Sequence, residues 1–276
     1  MPQARNGDVV IEYESFGAEG SPTVLLINGL GSQMTRWPDA LCKLLTDKGL
    51  RVLRMDNRDV GKSSWLPGKT YRLEDMANDC MAVFDAAGVK RAHIAGVSMG
   101  GMIAQMVAVG HPDRTLSLTS IMSNTGNPTA PPAPAISVLT TPAPNPETDW
   151  EAFVAHGIKN ARTIGSPKYR WTDEQIRTRV ETEYRRAYNP TGVQRQLAAV
   201  MATGDRRAKL RKLNDPTVVL HGKDDPLVPV AGGEETAALI PGAELRVIDG
   251  MGHDLPPGLY TIFADAILRA IARADG

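Results

Sequence analysis

The 276-residue chain is short of several things, and each shortage removes a class of explanation. Its two cysteines, Cys42 and Cys80, fall in segments that read as different helices. They lack the paired spacing of a zinc ligand set or a redox couple, so they read as buried free thiols and no metal site is expected. Net charge is missing as well: 31 Lys and Arg balance 31 Asp and Glu, leaving no bulk field to recruit nucleic acid or an anionic membrane. No apolar run reaches the length of a signal-peptide core or a membrane span, which predicts a cytoplasmic protein that stays out of the bilayer. Disorder is excluded by 42% hydrophobic against 22% charged residues, enough for a sizeable core. The length suits one large α/β domain with an excursion.

What is present is concentrated in Ala92 to Met106, which reads AHIAGVSMGGMIAQM. His93, Ile94 and Ala95 look like the end of a short buried strand. Met99, Met102, Ile103, Met106 and Val107 recur at the spacing of one helical face. A strand that becomes a helix within two residues forces the corner residue, Ser98, into a strained backbone conformation. Gly96 and Gly100 on either side let strand, turn and helix approach one another. The Ser98 hydroxyl is thereby exposed at the carboxyl edge of a sheet, at a helix N-terminus that favours developing negative charge. That is the arrangement of a nucleophile elbow.

Around this corner the chain alternates strand and helix. Val9 to Tyr13 alternates like a strand, with Glu14 to Gly17 as its antiparallel return. Thr23 to Ile27 is a continuous apolar run, as expected of a strand buried on both faces, Thr217 to Leu220 is another apolar strand, and Leu50 to Met55 and Leu116 to Met122 read as further strands. Helices are predicted over Asp39 to Asp47, Leu73 to Ala87, Glu234 to Ile240 and Leu259 to Ala272, and a last strand over Glu244 to Ile248. The polar run Asp56 to Ser63 lacks the spacing of a phosphate-binding loop and reads as a loop pinned by hydrogen bonds to backbone. Composition changes at Asn124. Pro128 to Pro146 is rich in proline and alanine, and helical signals resume around Asp149, at the capping box Thr172 to Gln175, and at Thr191. The expected organisation is an α/β core formed by residues 1–123 and 214–276, interrupted by a helical cap over 124–213.

A serine hydroxyl needs a base to take its proton, and a neutral imidazole needs a carboxylate to fix its tautomer. The elbow therefore predicts an acid and then a histidine downstream, each just past a strand. His253, in Gly250-Met251-Gly252-His253, is the histidine, and Asp224 and Asp225 are the candidate acids. Geometry supplies one oxyanion donor, the N–H of Met99, and draws a second from the Asn28-Gly29-Leu30-Gly31 loop.

Gly-Val-Ser-Met-Gly, Asn-Gly-Leu-Gly, Gly-Lys-Asp-Asp-Pro-Leu-Val-Pro and Gly-Met-Gly-His together resemble the α/β-hydrolase superfamily over nearly the whole chain. Trp37-Pro38-Asp39, Arg54 to Asp59 and Gly250 to Pro256 resemble bacterial ester hydrolases similar to aclacinomycin methylesterase. The resemblance implies a doubly wound, mostly parallel sheet, places the acid on Asp225 rather than Asp224, and makes the Leu30 N–H the second oxyanion donor. Asn28 departs from the usual histidine of that loop. The implied activity is hydrolysis of a small-molecule carboxylic ester through an acyl-enzyme on Ser98, with no cofactor. Lactonase, carbon–carbon bond hydrolase and perhydrolase chemistry stay open on the same triad, as does self-association as a homodimer. A ligand-sensing receptor that keeps the fold is the reading from another class.

Overall fold

The computed structural model describes residues 1–274, so positions 275 and 276 at the end of the expected core lie outside the described residues. In chain order the regular elements are β1 (Gln3–Asn6), β2 (Val9–Phe16), β3 (Thr23–Ile27), α1 (Asp39–Thr46), β4 (Arg51–Met55), α2 (Leu73–Ala86), β5 (Ala92–Val97), α3 (Met99–Gly110) and β6 (Thr115–Ile121). Then come α4 (Trp150–Ile164), α5 (Asp173–Arg186), α6 (Pro190–Thr203), α7 (Arg207–Leu210), β7 (Thr217–Gly222), α8 (Ala231–Leu239), β8 (Glu244–Ile248) and α9 (Tyr260–Ala272). The eight strands form one sheet in the order β1-β2-β4-β3-β5-β6-β7-β8. β1, β2 and β4 pair antiparallel, and every other pairing is parallel. The result is an eight-stranded, mostly parallel sheet of an α/β fold, as the alternation of strand and helix requires.

Every residue of β3 and β4 is buried, the apolar ones between the helix layers and the two arginines of β4 through partners, Arg51 donating to Ser15 and the Ala87 carbonyl and Arg54 pairing with Glu14. One cover is α2 and α3, whose Met76, Phe84, Met99 and Ile103 pack in a common cluster with Leu25 and Leu53. The other is α1 and α9, where Leu41, Leu45, Phe263 and Ile267 meet Leu26, Val52 and Leu220. Phe263, Ile267, Ala270 and Ile271 recur at i, i+4, i+7 and i+8, giving α9 the apolar stripe it buries. Each large side chain so enclosed contributes about 1.5–3 kcal/mol.

Two expectations are corrected. Glu14 to Gly17 is not a return strand: β2 runs unbroken to Phe16, its Val9–Glu12 part pairing with β1 across the turn at Gly7 and Asp8 and its Tyr13–Phe16 part with β4. The polar QARN segment gives no alternation signal because it is an edge strand with one fully buried side chain, Ala4. The helix expected from Glu234 starts at Ala231, and the single-turn α7 had no periodicity long enough to show.

Between β6 and β7 the chain leaves the sheet. Pro128 to Pro146 carries only a 3₁₀ turn at Ile136–Leu139, and α4 to α7 follow. Asp149 caps α4 by accepting from the Ala152 N–H at 2.9 Å, and Thr172 and Gln175 close a capping box on α5. The excursion departs and returns at adjacent points. The Arg206 N–H donates to the Thr125 carbonyl at 2.9 Å, and its guanidinium donates to the Asn124 carbonyl at 2.8 Å and to Gln105 Oε1 at 3.0 Å. Burial among these neutral acceptors pulls the Arg206 pKa down to about 10. No helix among the described residues is long and apolar enough to cross a membrane.

Candidate active site

β5 ends at Val97 and α3 begins at Met99, so Ser98 alone makes the corner, at φ 56° and ψ −123°. A non-glycine residue at positive φ costs on the order of 1–3 kcal/mol, and here the surroundings impose it. The Ser98 N–H donates to the Ile121 carbonyl of the neighbouring strand at 2.9 Å, and Ser123 Oγ donates to the Ser98 carbonyl at 2.9 Å. A Cβ on Gly96 would collide with the Gly100 backbone, and one on Gly100 with the carbonyl of Ile27. Both glycines are therefore needed for strand, helix and the 28–31 loop to meet at this point. That loop lies against the serine, since a Cβ on Gly29 would stand 3.2 Å from Ser98 Cβ.

Parallel pairing sets the remaining groups at the same edge. β5, β6, β7 and β8 are successive neighbours, so the loops after β7 and β8 open on the side where Ser98 sits. Asp225 follows β7 and His253 follows β8. His253 Nδ1 lies 2.7 Å from Asp225 Oδ2, and both side chains are buried. The other carboxylate oxygen, Asp225 Oδ1, accepts the N–H groups of Leu227 at 2.9 Å and Val228 at 2.8 Å. An ionised carboxylate only accepts, so the contact of Oδ2 with His253 favours the imidazole tautomer that has its proton on Nδ1 and its lone pair on Nε2.

Asp224 is placed elsewhere. Its carboxylate accepts the Gly250 N–H at 2.7 Å, fastening the loop that carries His253 to the end of β7. Met99 follows the serine at the head of α3, where the helix dipole favours negative charge, and Leu30 follows Gly29 in the loop that lies against it. Asn28 is fully buried; its amide donates only a long 3.5 Å bond to the Met55 carbonyl, and its side-chain oxygen has no partner among the described residues.

Several residues at the site gave no signal in the sequence. His221 is fully buried, donates from Nε2 to the Val228 carbonyl at 2.8 Å and approaches Asp225 Oδ2 at 3.6 Å. It backs Asp225, and only its place at a strand end hinted at it. The loop of His253 is tied to the segment after α4: the His253 N–H donates to the Ile164 carbonyl at 2.7 Å, the Gly252 N–H to Ser166 Oγ at 2.9 Å, and the Ser166 N–H to Asp254 at 3.0 Å. The Asp56 to Ser63 loop is pinned to backbone as expected, with Asp56 accepting the Met34 and Lys62 N–H groups at 2.7 and 3.0 Å. It is also ion-paired to distant helices, Asp56 with Arg186 at 2.7 Å and Asp59 with Arg195 at 2.7 Å. Arg186, the last residue of α5, is thus held in an ion pair at the foot of this loop rather than left to solvent. Among the described residues no group of three or more His, Cys, Asp or Glu could hold a metal ion.

The chain resembles characterised hydrolases along nearly its whole length. It is 27% identical to the rhodomycin D methylesterase DauP of Streptomyces sp. (strain C5), with 94% of each chain covered. It is 25% identical to 3-oxoadipate enol-lactonase 1 of Acinetobacter baylyi, covering 84% of this chain and 82% of that one. The meta-cleavage product hydrolase CumD of Pseudomonas fluorescens IP01 superposes with a TM-score of 0.82 over 99% of this chain and 97% of its own at 18% identity, a likeness of fold. Residues 22–256 match the model of the alpha/beta hydrolase fold, and the chain belongs to that family.

Proposed function

We propose that the protein is a serine hydrolase that cleaves a carboxylic ester of a small molecule through an acyl-enzyme on Ser98. The observation that carries this is the 2.7 Å bond from His253 to Asp225 at the sheet edge where the strained Ser98 stands. In the proposed reaction His253 Nε2 removes the Ser98 hydroxyl proton as Oγ attacks the ester carbonyl carbon. The oxygen of that carbonyl becomes an oxyanion received by the N–H groups of Leu30 and Met99. Collapse breaks the bond to the alcohol, which leaves with the proton held by His253. Water, deprotonated by the same nitrogen, then releases the acid and restores Ser98. Every group required belongs to the chain, so no cofactor enters the scheme. The helices between β6 and β7 serve in this reading as a cap that shapes the acyl and alcohol pockets.

Similarity to the methylesterase makes methyl esters the first substrates to try, and similarity to the enol-lactonase supports lactones as the second class. Hydrolysis of p-nitrophenyl acetate is expected of the wild type and should vanish in Ser98→Ala. Asp225→Asn should lower kcat on the order of 10⁴-fold, as in other triads. Asp224→Asn should cost far less, because its carboxylate holds a backbone N–H and not the imidazole. A folded Ser98→Ala variant with wild-type turnover would refute the nucleophile, and the opposite ranking of the aspartates would refute the acid.

A further inference from the structure

Gln196 lies in the middle of α6 and is fully buried, and its side-chain hydrogen bonds go to the backbone of two loops rather than to Ser98, Asp225 or His253. Its Oε1 accepts the Gly31 N–H at 2.8 Å and its Nε2 donates to the Arg58 carbonyl at 2.7 Å, so both ends of the amide are used. Gly31 follows Leu30, and the backbone here is a turn: the Ser32 N–H donates to the Gly29 carbonyl at 3.2 Å, and Gly31 stands at φ 65° while Leu30 is not among the positive-φ residues. Negative φ followed by positive φ at a glycine is the pattern of a type II turn.

That geometry has a direct bearing on the oxyanion donor. In a trans peptide the C=O and N–H point in opposite directions, so tying the Gly29 carbonyl into the turn aims the Leu30 N–H outward. The next peptide, between Leu30 and Gly31, is the one that turns over when a type II turn converts to type I. Its flip moves ψ of Leu30 and φ of Gly31 and leaves the Gly29–Leu30 peptide as it was, so what holds the donor in place is the anchoring of the whole turn to α6. Gln196 grips this central peptide by its N–H. Val193, one turn earlier on α6, closes over the same glycine, where an added Cβ would lie 2.8 Å from its side chain.

We propose, on the strength of the serine-hydrolase reading above, that Gln196 is a positioning residue that locks the 29–32 turn in the state presenting the Leu30 N–H to the oxyanion. A helix of the excursion thereby completes the oxyanion hole of the sheet. Gln196→Met keeps the bulk and loses the acceptor, while Gln196→Asn keeps the amide and withdraws it by one methylene. Both should lower kcat for p-nitrophenyl acetate by about 10- to 100-fold, below the full loss of an oxyanion donor, with KM within about twofold of wild type. Gln196→Glu retains an acceptor for the Gly31 N–H in either protonation state and should keep kcat within about threefold of wild type.

Thermal melts followed by circular dichroism accompany each assay, and if Gln196→Met does not fold, Gln196→Asn decides. Wild-type kcat in the folded Met or Asn variants, or a defect confined to KM, overturns the proposal. So does a Glu variant as impaired as the Met variant, since the role would then run through the Arg58 carbonyl. Ser98→Ala assayed in parallel separates the two levels. If it remains active the nucleophile is wrong, whereas an inactive Ser98→Ala beside a fully active Gln196→Asn refutes only the lock.

Discussion

His221 stands with no room to be charged. Its ring is fully enclosed, Nε2 is committed as a donor to Val228, and Nδ1 has no partner among the described residues. Burial holds its pKa below the ordinary histidine value, against the opposing pull of Asp225. In the unfolded chain the same ring takes up a proton near pH 6.5, so the unfolded state binds more protons than the native state just below that pH. The stability tied to a neutral His221 is therefore fully present above about pH 6.5 and is lost as the pH falls toward the lower folded value. Gln at this position keeps a side-chain N–H donor and cannot titrate. Melting temperatures of His221→Gln measured from about pH 7 to pH 5 should fall less steeply than those of the wild type. Parallel slopes would mean that the native ring accepts the proton as readily as the unfolded one.

At the scale of elements, the loop after β4 is held to the helices around it by charge. Arg58 reaches Asp79 on α2 with two bonds of 2.7 Å, donates to the Asp75 carbonyl at 3.1 Å and lies 5.0 Å from the centre of the Tyr71 ring. Both partners of the pair are buried, and Asp79 also accepts from Asn6 at 2.9 Å. Asp79→Ala strands the guanidinium without a counter-charge, so urea denaturation should show a loss of about 3–5 kcal/mol. A loss under about 1 kcal/mol would mean that Arg58 finds solvent or another acceptor. These fastenings mark where the sequence stops being readable. The elbow, the capping box of α5 and the apolar strands are written in residues a few positions apart, so their physics is complete within a short window. Asp59 and Arg195, or Gly31 and Gln196, are separated by 136 and 165 positions, and only the folded chain brings them together. Residue spacing alone left two adjacent aspartates as the acid and resemblance chose Asp225; the hydrogen bonds lie beyond any such window, with Asp225 on His253 and Asp224 on the Gly250 N–H. The QARN strand was missed for the complementary reason, since an exposed edge with polar side chains has no alternation to show.

For the molecule as a whole, the contrast is between a sheet covered on both faces and a proline-rich passage lying almost bare. Ile136 is 47% exposed, and most residues from 128 to 149 are open to solvent with few backbone bonds. Thermolysin, which cuts before large apolar residues, should nick the native protein first between Ala135 and Leu139, as mass spectrometry of the fragments would show. First cuts inside β3 to β7 would contradict this ordering of local stability. The two ends of the excursion, meanwhile, are clasped by Arg206 at Asn124 and Thr125. A segment that enters and leaves through one point places no demand on the distance between β6 and β7, which remain paired whatever is suspended from them. Exchanging the suspended part for another would therefore spare the strand pairing, but the newcomer would have to bring its own substitutes for Ile164 and Ser166 under the His253 loop and for Gln196 beside Gly31.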